Sequence, residues 1–208
     1  MRSPARRTAV LAGTAMAVSS LLVACGAEEA TNGTGAGAAA SPSAATTTAA
    51  DPGDVAFAQM MIPHHQQALE MADLALASAE SPQVRDLAEQ IQAAQQPEIN
   101  TMSGWLQGWG TPVPSPGVAM DHSGHDMGGM SGGTGMMTQQ QMDDLAAASG
   151  MQFDQMWLGM MIAHHEGAIE MSRQVLETTS DPQVEQLAQA IIDGQAAEVA
   201  TMRTLMDS

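Results

Sequence analysis

Met60-Met61-Ile62-Pro63-His64-His65 recurs one hundred residues later as Met160-Met161-Ile162-Ala163-His164-His165, and this repetition decides the fold. The correspondence continues without a gap. Ala68, Glu70 and Met71 return as Ala168, Glu170 and Met171, and Ser81-Pro82-Gln83-Val84 returns as Asp181-Pro182-Gln183-Val184. Beyond the prolines, Leu87, Ala88, Ile91, Gln95, Glu98, Thr101 and Met102 match Leu187, Ala188, Ile191, Gln195, Glu198, Thr201 and Met202. A duplication is the economical explanation. Each copy carries the marks of two antiparallel helices: good helix formers dominate, and apolar residues recur at three- and four-residue spacing, as in Leu87, Ile91 and Ala94. Ser81 and Asp181 stand at N-cap positions, each followed by a proline whose missing N–H is harmless in a first turn. The pattern predicts helices near 52–79, 82–107, 151–179 and 181–206, with a shorter one near 138–148 opened by Thr138 and Gln141. Pro63 predicts a kink just before the first histidine pair, with a straighter second copy where Ala163 stands. Two hairpins with apolar stripes bury them most simply against each other. The expected fold is therefore all-α, a ferritin-like four-helix bundle over residues 51–208, with repeat one at 52–107, a connector at 108–137 and repeat two at 138–206.

Upstream of the repeat, Arg2, Arg6 and Arg7 precede an apolar run from Thr8 to Leu22 that closes on Leu22-Val23-Ala24-Cys25. The run is shorter than the roughly 20 residues of a transmembrane helix and resembles a bacterial lipoprotein signal peptide over residues 1–24. It predicts that Cys25 is lipidated, with palmitate among its chains, and anchors the protein on the extracytoplasmic face of the cell membrane. After Cys25, the Gly, Ala, Ser, Thr and Pro of residues 26–50 predict a flexible tether with a reach on the order of 25–30 Å. Cleavage there leaves three arginines and no lysine against 23 acidic residues. Such a surface excludes nucleic acid as a partner and attracts cations.

All six histidines, His64, His65, His122, His125, His164 and His165, come in pairs with methionine close by, and methionine occurs 19 times against 13 leucines. Core filling accounts for an isolated methionine stripe, but not for its company with every histidine. On a helix, Met60, His64 and Met71 share one face, while Met61, His65, Ala68 and Ala72 line the next, about 100° round. A turn centred near Ser81 sets Met102 level with Met60 and Glu98 level with His64. The second copy puts Met202 beside Met160 and Glu198 beside His164. The candidate metal ligands are Met60, Met61, His64, His65, Met71 and Met102, and their equivalents Met160, Met161, His164, His165, Met171 and Met202. The glutamates would hold the imidazoles' other N–H groups. Thioethers select soft ions, Cu(I) with Ag(I) as its mimic, over Zn(II) or iron, and they survive in an oxidising compartment where thiols do not. The connector adds Met120, His122, His125, Met127 and Met130 as candidate ligands, followed by Met136-Met137. Its Gly, Ser and Asp content predicts disorder over 117–137 without metal and no share in the core.

Through Phe57, Met60-Met61-Ile62-Pro63-His64-His65, Ala68 and Met71, and again through Gly150, Phe153-Asp154, Met160-Met161-Ile162, His164-His165, Gly167-Ala168-Ile169 and Met171, the chain resembles the domain-of-unknown-function 305 family. The resemblance covers roughly 52–107 and 138–206. That family includes extracytoplasmic copper-binding proteins of the CopM type, so the resemblance implies a ferritin-like bundle outside the cytoplasm that binds copper or silver through Met and His. Ala163 departs from the proline of the first copy, and the Met/His connector is not part of what the resemblance implies. The expected function is sequestration, tolerance or relay of Cu(I) by a lipid-anchored protein. Copper or silver ions are its partners, with a copper donor or acceptor protein beside them, and no reaction is catalysed. One alternative is a structural or protein-interaction lipoprotein of the envelope that docks through an adaptable Met-rich face. A metalloenzyme is less well matched. A di-iron carboxylate site needs Glu-x-x-His motifs on two helices, and no Glu or Asp stands three residues before any histidine.

Overall fold

Polar caps and first-turn prolines start the helices where the chain requires them. In the computed structural model, which describes residues 50–115 and 134–207, α1 spans Pro52–Ser78 and is capped by the Asp51 carboxylate, which accepts from the Gly53 N–H. α2 follows at Pro82–Gly108. Ser81 holds its N-cap position, but its hydroxyl donates to the Gln83 side chain instead of capping the helix. The short α3, Gln139–Ala147, opens with the expected Thr138–Gln141 capping box. α4 spans Gly150–Leu176 and α5 spans Pro182–Met206, the latter capped by Asp181 on Gln183 N–H. α1 runs on through Pro63 as one helix, and α2 runs on through Pro97. Among the described residues, no helix is long and apolar enough to cross a membrane. The signal peptide, Cys25, the tether before residue 50, and Met120, His122, His125, Met127 and Met130 lie outside the described residues.

Two carboxylates from equivalent positions set the hairpins against each other. Asp154, near the start of α4, accepts from the backbone N–H groups of Glu80 and Ser81 at 3.0 and 2.8 Å and so clasps the α1–α2 turn. Its counterpart Asp54, near the start of α1, faces Thr179 beyond the end of α4. α1 and α4 therefore run antiparallel, and the chain leaving α2 must travel back along the bundle, about 40 Å for a helix of this length, before α4 can begin. The described ends of the connector lie against α1. Gln59 donates to the Pro112 carbonyl, His64 to Thr134, and Gln67 exchanges two hydrogen bonds with the backbone of Met137.

The core lies in two clusters, each built from both copies. One joins Phe57, Met61, Ile62, Met102 and Leu106 to Met171, Val175 and Ile191. The other joins Met71, Leu87 and Ile91 to Phe153, Trp157, Met161 and Met202. Burial of each large apolar side chain contributes about 1.5–3 kcal/mol, and both clusters draw side chains from the two hairpins. Trp157, fully buried, satisfies its indole N–H on the Met71 carbonyl at 2.8 Å.

Candidate metal centre

His64 and His164 occupy equivalent places in the two copies, and their rings meet in the middle of the bundle with centroids 3.7 Å apart and planes inclined by 37°. A residue that touches its own equivalent lies on the axis relating the copies, so an approximate two-fold passes between these rings. His65 and His165 stand to either side, 6.3 and 6.4 Å from their neighbours. All four imidazoles are buried.

Each outer histidine is oriented by a glutamate. His65 Nε2–H donates to Glu98 Oε2 and His165 Nε2–H to Glu198 Oε2, both at 2.7 Å. The expected pairing had put these glutamates beside His64 and His164. The correction is one residue, and it has a geometric cause: side chains on antiparallel helices lean toward opposite N-termini, so partners meet beyond the level of their own Cα atoms. Met61 and Met102 share one cluster of the core, and Met161 and Met202 share the other, with Met160 packed against the latter. The two faces expected on α1 merge into one buried stripe of Met61, His64, His65, Ala68, Met71 and Ala72, with Met60 36% exposed at its rim. Met160 is half-buried on α4.

The axis divides the methionines into two sets, each drawn from three helices. Met61, Met102 and Met171 belong to one half of the core, and Met161, Met202 and Met71, their equivalents, to the other. All six are buried.

The tautomers decide what the site can hold. Since the Thr134 carbonyl and the two carboxylates can only accept, His64, His65 and His165 carry a proton on Nε2. In the neutral ring the lone pair then lies on Nδ1. Those Nδ1 atoms are buried and have no hydrogen-bond partner among the described residues, and neither do both nitrogens of His164. Burial, reinforced by the neighbouring His65, pushes His64 down to about 3, the Thr134 carbonyl offsetting part of the effect. His164 is held well below the usual range, again by burial first and His64 second, with only a small offset from the His64 backbone. At His64 and His164 burial thus favours the neutral imidazole with a free lone pair, which is what a metal ion requires. Among the described residues no three His, Cys, Asp or Glu side chains gather into a site of their own. An ion held here would take Nδ1 donors together with thioethers, a donor set that fits Cu(I) and Ag(I).

Three features of the site were not expected from the sequence. Gln95 and Gln195, equivalent and buried, leave both amide atoms unpartnered, as does the Ser172 hydroxyl. Residues 134–137 are not disordered but packed, correcting the expectation for the end of the connector. Gly135, at φ +68°, lies so close to α4 that an added Cβ would fall 2.1 Å from the Ala163 carbonyl, and one on Gly167 would fall 1.8 Å from that of Thr134. Two glycines thus let backbone pack on backbone, which the connector's composition did not suggest. Met137, moreover, packs against the core.

Residues 54–206 match the family described as Domain of unknown function (DUF305). The chain belongs to this family. A DUF305 fragment from Deinococcus radiodurans has the same fold, with 32% identity, a TM-score of 0.66, and coverage of 76% of this chain and 97% of that one. CopM, solved in its Cu(II)-bound form, is 35% identical with a TM-score of 0.60, covering 74% of this chain and 95% of its own. Structures of CopM with Cu(I) and with Ag are similar at 32% identity. Uncharacterized protein L153 of Acanthamoeba polyphaga mimivirus is 41% identical over 54 residues, 26% of this chain, which spans only 36% of that protein's length.

Proposed function

We propose that this DUF305 protein binds Cu(I), with Ag(I) as its mimic, and that it sequesters or relays the ion at the extracytoplasmic face of the membrane, held there by a lipid on Cys25. The observation that carries the proposal is the set of buried imidazoles with unpartnered Nδ1 atoms in a bundle whose core is rich in methionine. Crystal structures of CopM with Cu(I), Cu(II) and Ag support it at 32–35% identity. His65 and His165 would be ligands with Glu98 and Glu198 fixing their tautomers, and His64 and His164 would complete the donor set with the two methionine groups.

Titration of the chain with Cu(I) against a competing chelator tests this. Cu(I) and Ag(I) should bind well ahead of Zn(II). Replacing His65 and His165 with alanine, or Met61, Met102 and Met171 with leucine, should weaken binding while helicity persists. Zinc binding as tight as silver, or unchanged Cu(I) affinity in both variants, would overturn the proposal.

A further inference from the structure

A second set of thioethers lies outside the buried centre. α1, α3 and the segment leading into α3 enclose a groove of about 610 Å³, to which Met136, Met137 and Met142 all contribute, along with the carboxylates of Glu70, Asp73 and Asp143. No Arg or Lys lines it. Met136 is 40% exposed. Met137 and Met142 are partly buried and touch the core from the groove side.

Packing accounts for Met137 and Met142, but not for three methionines in one water-filled channel. Leucine would cover the same apolar surface, and an exposed thioether adds no hydrophobic stabilisation over it. What sulfur adds is a soft, neutral donor. What the three carboxylates add is a negative field that concentrates cations without offering thiolate or imidazole. A monovalent soft cation answers to both.

The second copy makes the contrast. Asp73 has Arg173 as its equivalent, so the acidic side of the groove is not copied whole in the second repeat. Arg173 instead lines an α4–α5 face with Glu166 and Arg203.

The groove's position links it to the centre. Gln67 grips the Met137 backbone at both ends of its amide, at 2.8 and 2.7 Å, and three residues earlier the Thr134 carbonyl receives the His64 Nε2–H. One short packed segment therefore carries two of the groove's thioethers and holds a buried histidine.

We infer that the α1–α3 groove is a separate, solvent-facing binding site for Cu(I) or Ag(I), with Met136, Met137 and Met142 as its donors. It is distinct from the histidine centre and can fail independently of it. Labelling methionine methyls with ¹³C in the full chain, assigned by single Met→Leu variants, lets Ag(I) be followed at each sulfur. The methyls of Met136, Met137 and Met142 should shift together and saturate. The triple variant M136L/M137L/M142L should lose one equivalent of Ag(I) while the shifts at the buried Met61, Met102, Met161 and Met202 persist. Replacing Glu70, Asp73 and Asp143 by their amides should weaken the groove site about tenfold at low salt and much less at high salt, as screening requires. Groove methyls that stay still while those of the buried methionines Met61, Met102, Met171, Met71, Met161 and Met202 respond would overturn this site and leave the buried centre standing. Equal shifts with Zn(II) would overturn its assignment to a soft ion. Groove shifts without a response from the buried methionines would uphold it and remove the buried centre instead.

Discussion

His65 and His165 each give one ring nitrogen to a glutamate and keep the other inside the bundle, so the chemistry of the centre depends on two carboxylates that touch no candidate ion. A carboxylate on Nε2–H fixes the ring and raises the basicity of Nδ1; a carboxamide can still accept the hydrogen bond but lacks the charge. Replacing Glu98 and Glu198 together with glutamine is therefore expected to leave the bundle folded and to lower Cu(I) affinity about 10–100-fold. Chelator competition on a variant of unchanged helicity would measure it, and unaltered affinity would make the carboxylates structural. The residue types were legible in the sequence because the repeat doubled them. Their pairing was not, since sequence arithmetic places Cα atoms whereas tips meet a residue further on. Gln95 and Gln195 were visible as matched positions, yet nothing in a helix-forming, surface-compatible residue announces that it will be buried.

Among the helices, the copies differ most where the connector crosses them. Gln67 has Gly167 as its equivalent: one reaches out to hold Met137 by its backbone, and the other vanishes so that Thr134 can lie against the helix. Gly167→Ala would push a methyl into the Thr134 backbone, which cannot yield as a side-chain tip would. The expected result is a loss on the order of 1–3 kcal/mol, read as a lowered denaturation midpoint, together with release of the His64 hydrogen bond. Gly194→Ala is the control. It sits inside α5 with nothing within 4 Å of an added Cβ, and removing glycine from a helix interior should raise stability by about 0.5–1 kcal/mol. Equal effects of the two substitutions would show that the connector does not pack on α4 in solution. Periodicity, caps and prolines made the helices readable to within a few residues. The strap over residues 134–137 has no period, and its sequence trace was the Gln67/Gly167 mismatch, one of several between the copies.

For the molecule as a whole, burying neutral histidines makes stability depend on pH in a definite direction. His64, pushed down to about 3, and His164, held well below the usual range, stay unprotonated in the folded chain where an unfolded imidazole, near 6.5, takes up a proton. Between those limits the unfolded state binds more protons, so stability falls as pH drops below about 6.5 and levels off only under the folded values. Above 6.5 these groups contribute no slope. Denaturant midpoints should therefore be flat from pH 8 to 7 and then decline by a few kcal/mol toward pH 4, with the decline reduced in a His164→Leu variant. A bound ion works against this decline, because it needs the same unprotonated nitrogens and because burial postpones the proton's competition for His64 and His164. At a free Ag(I) concentration a hundredfold over its dissociation constant the folded state gains about 2.7 kcal/mol. The share of that gain that rests on His64 and His164 should survive at pH 5, where an exposed histidine site would have lost its ligands to protons. Denaturation at pH 7 and pH 5, with and without Ag(I), measures both effects. Stabilisation at pH 7 that disappears by pH 5 would mean that the ion does not rest on His64 and His164.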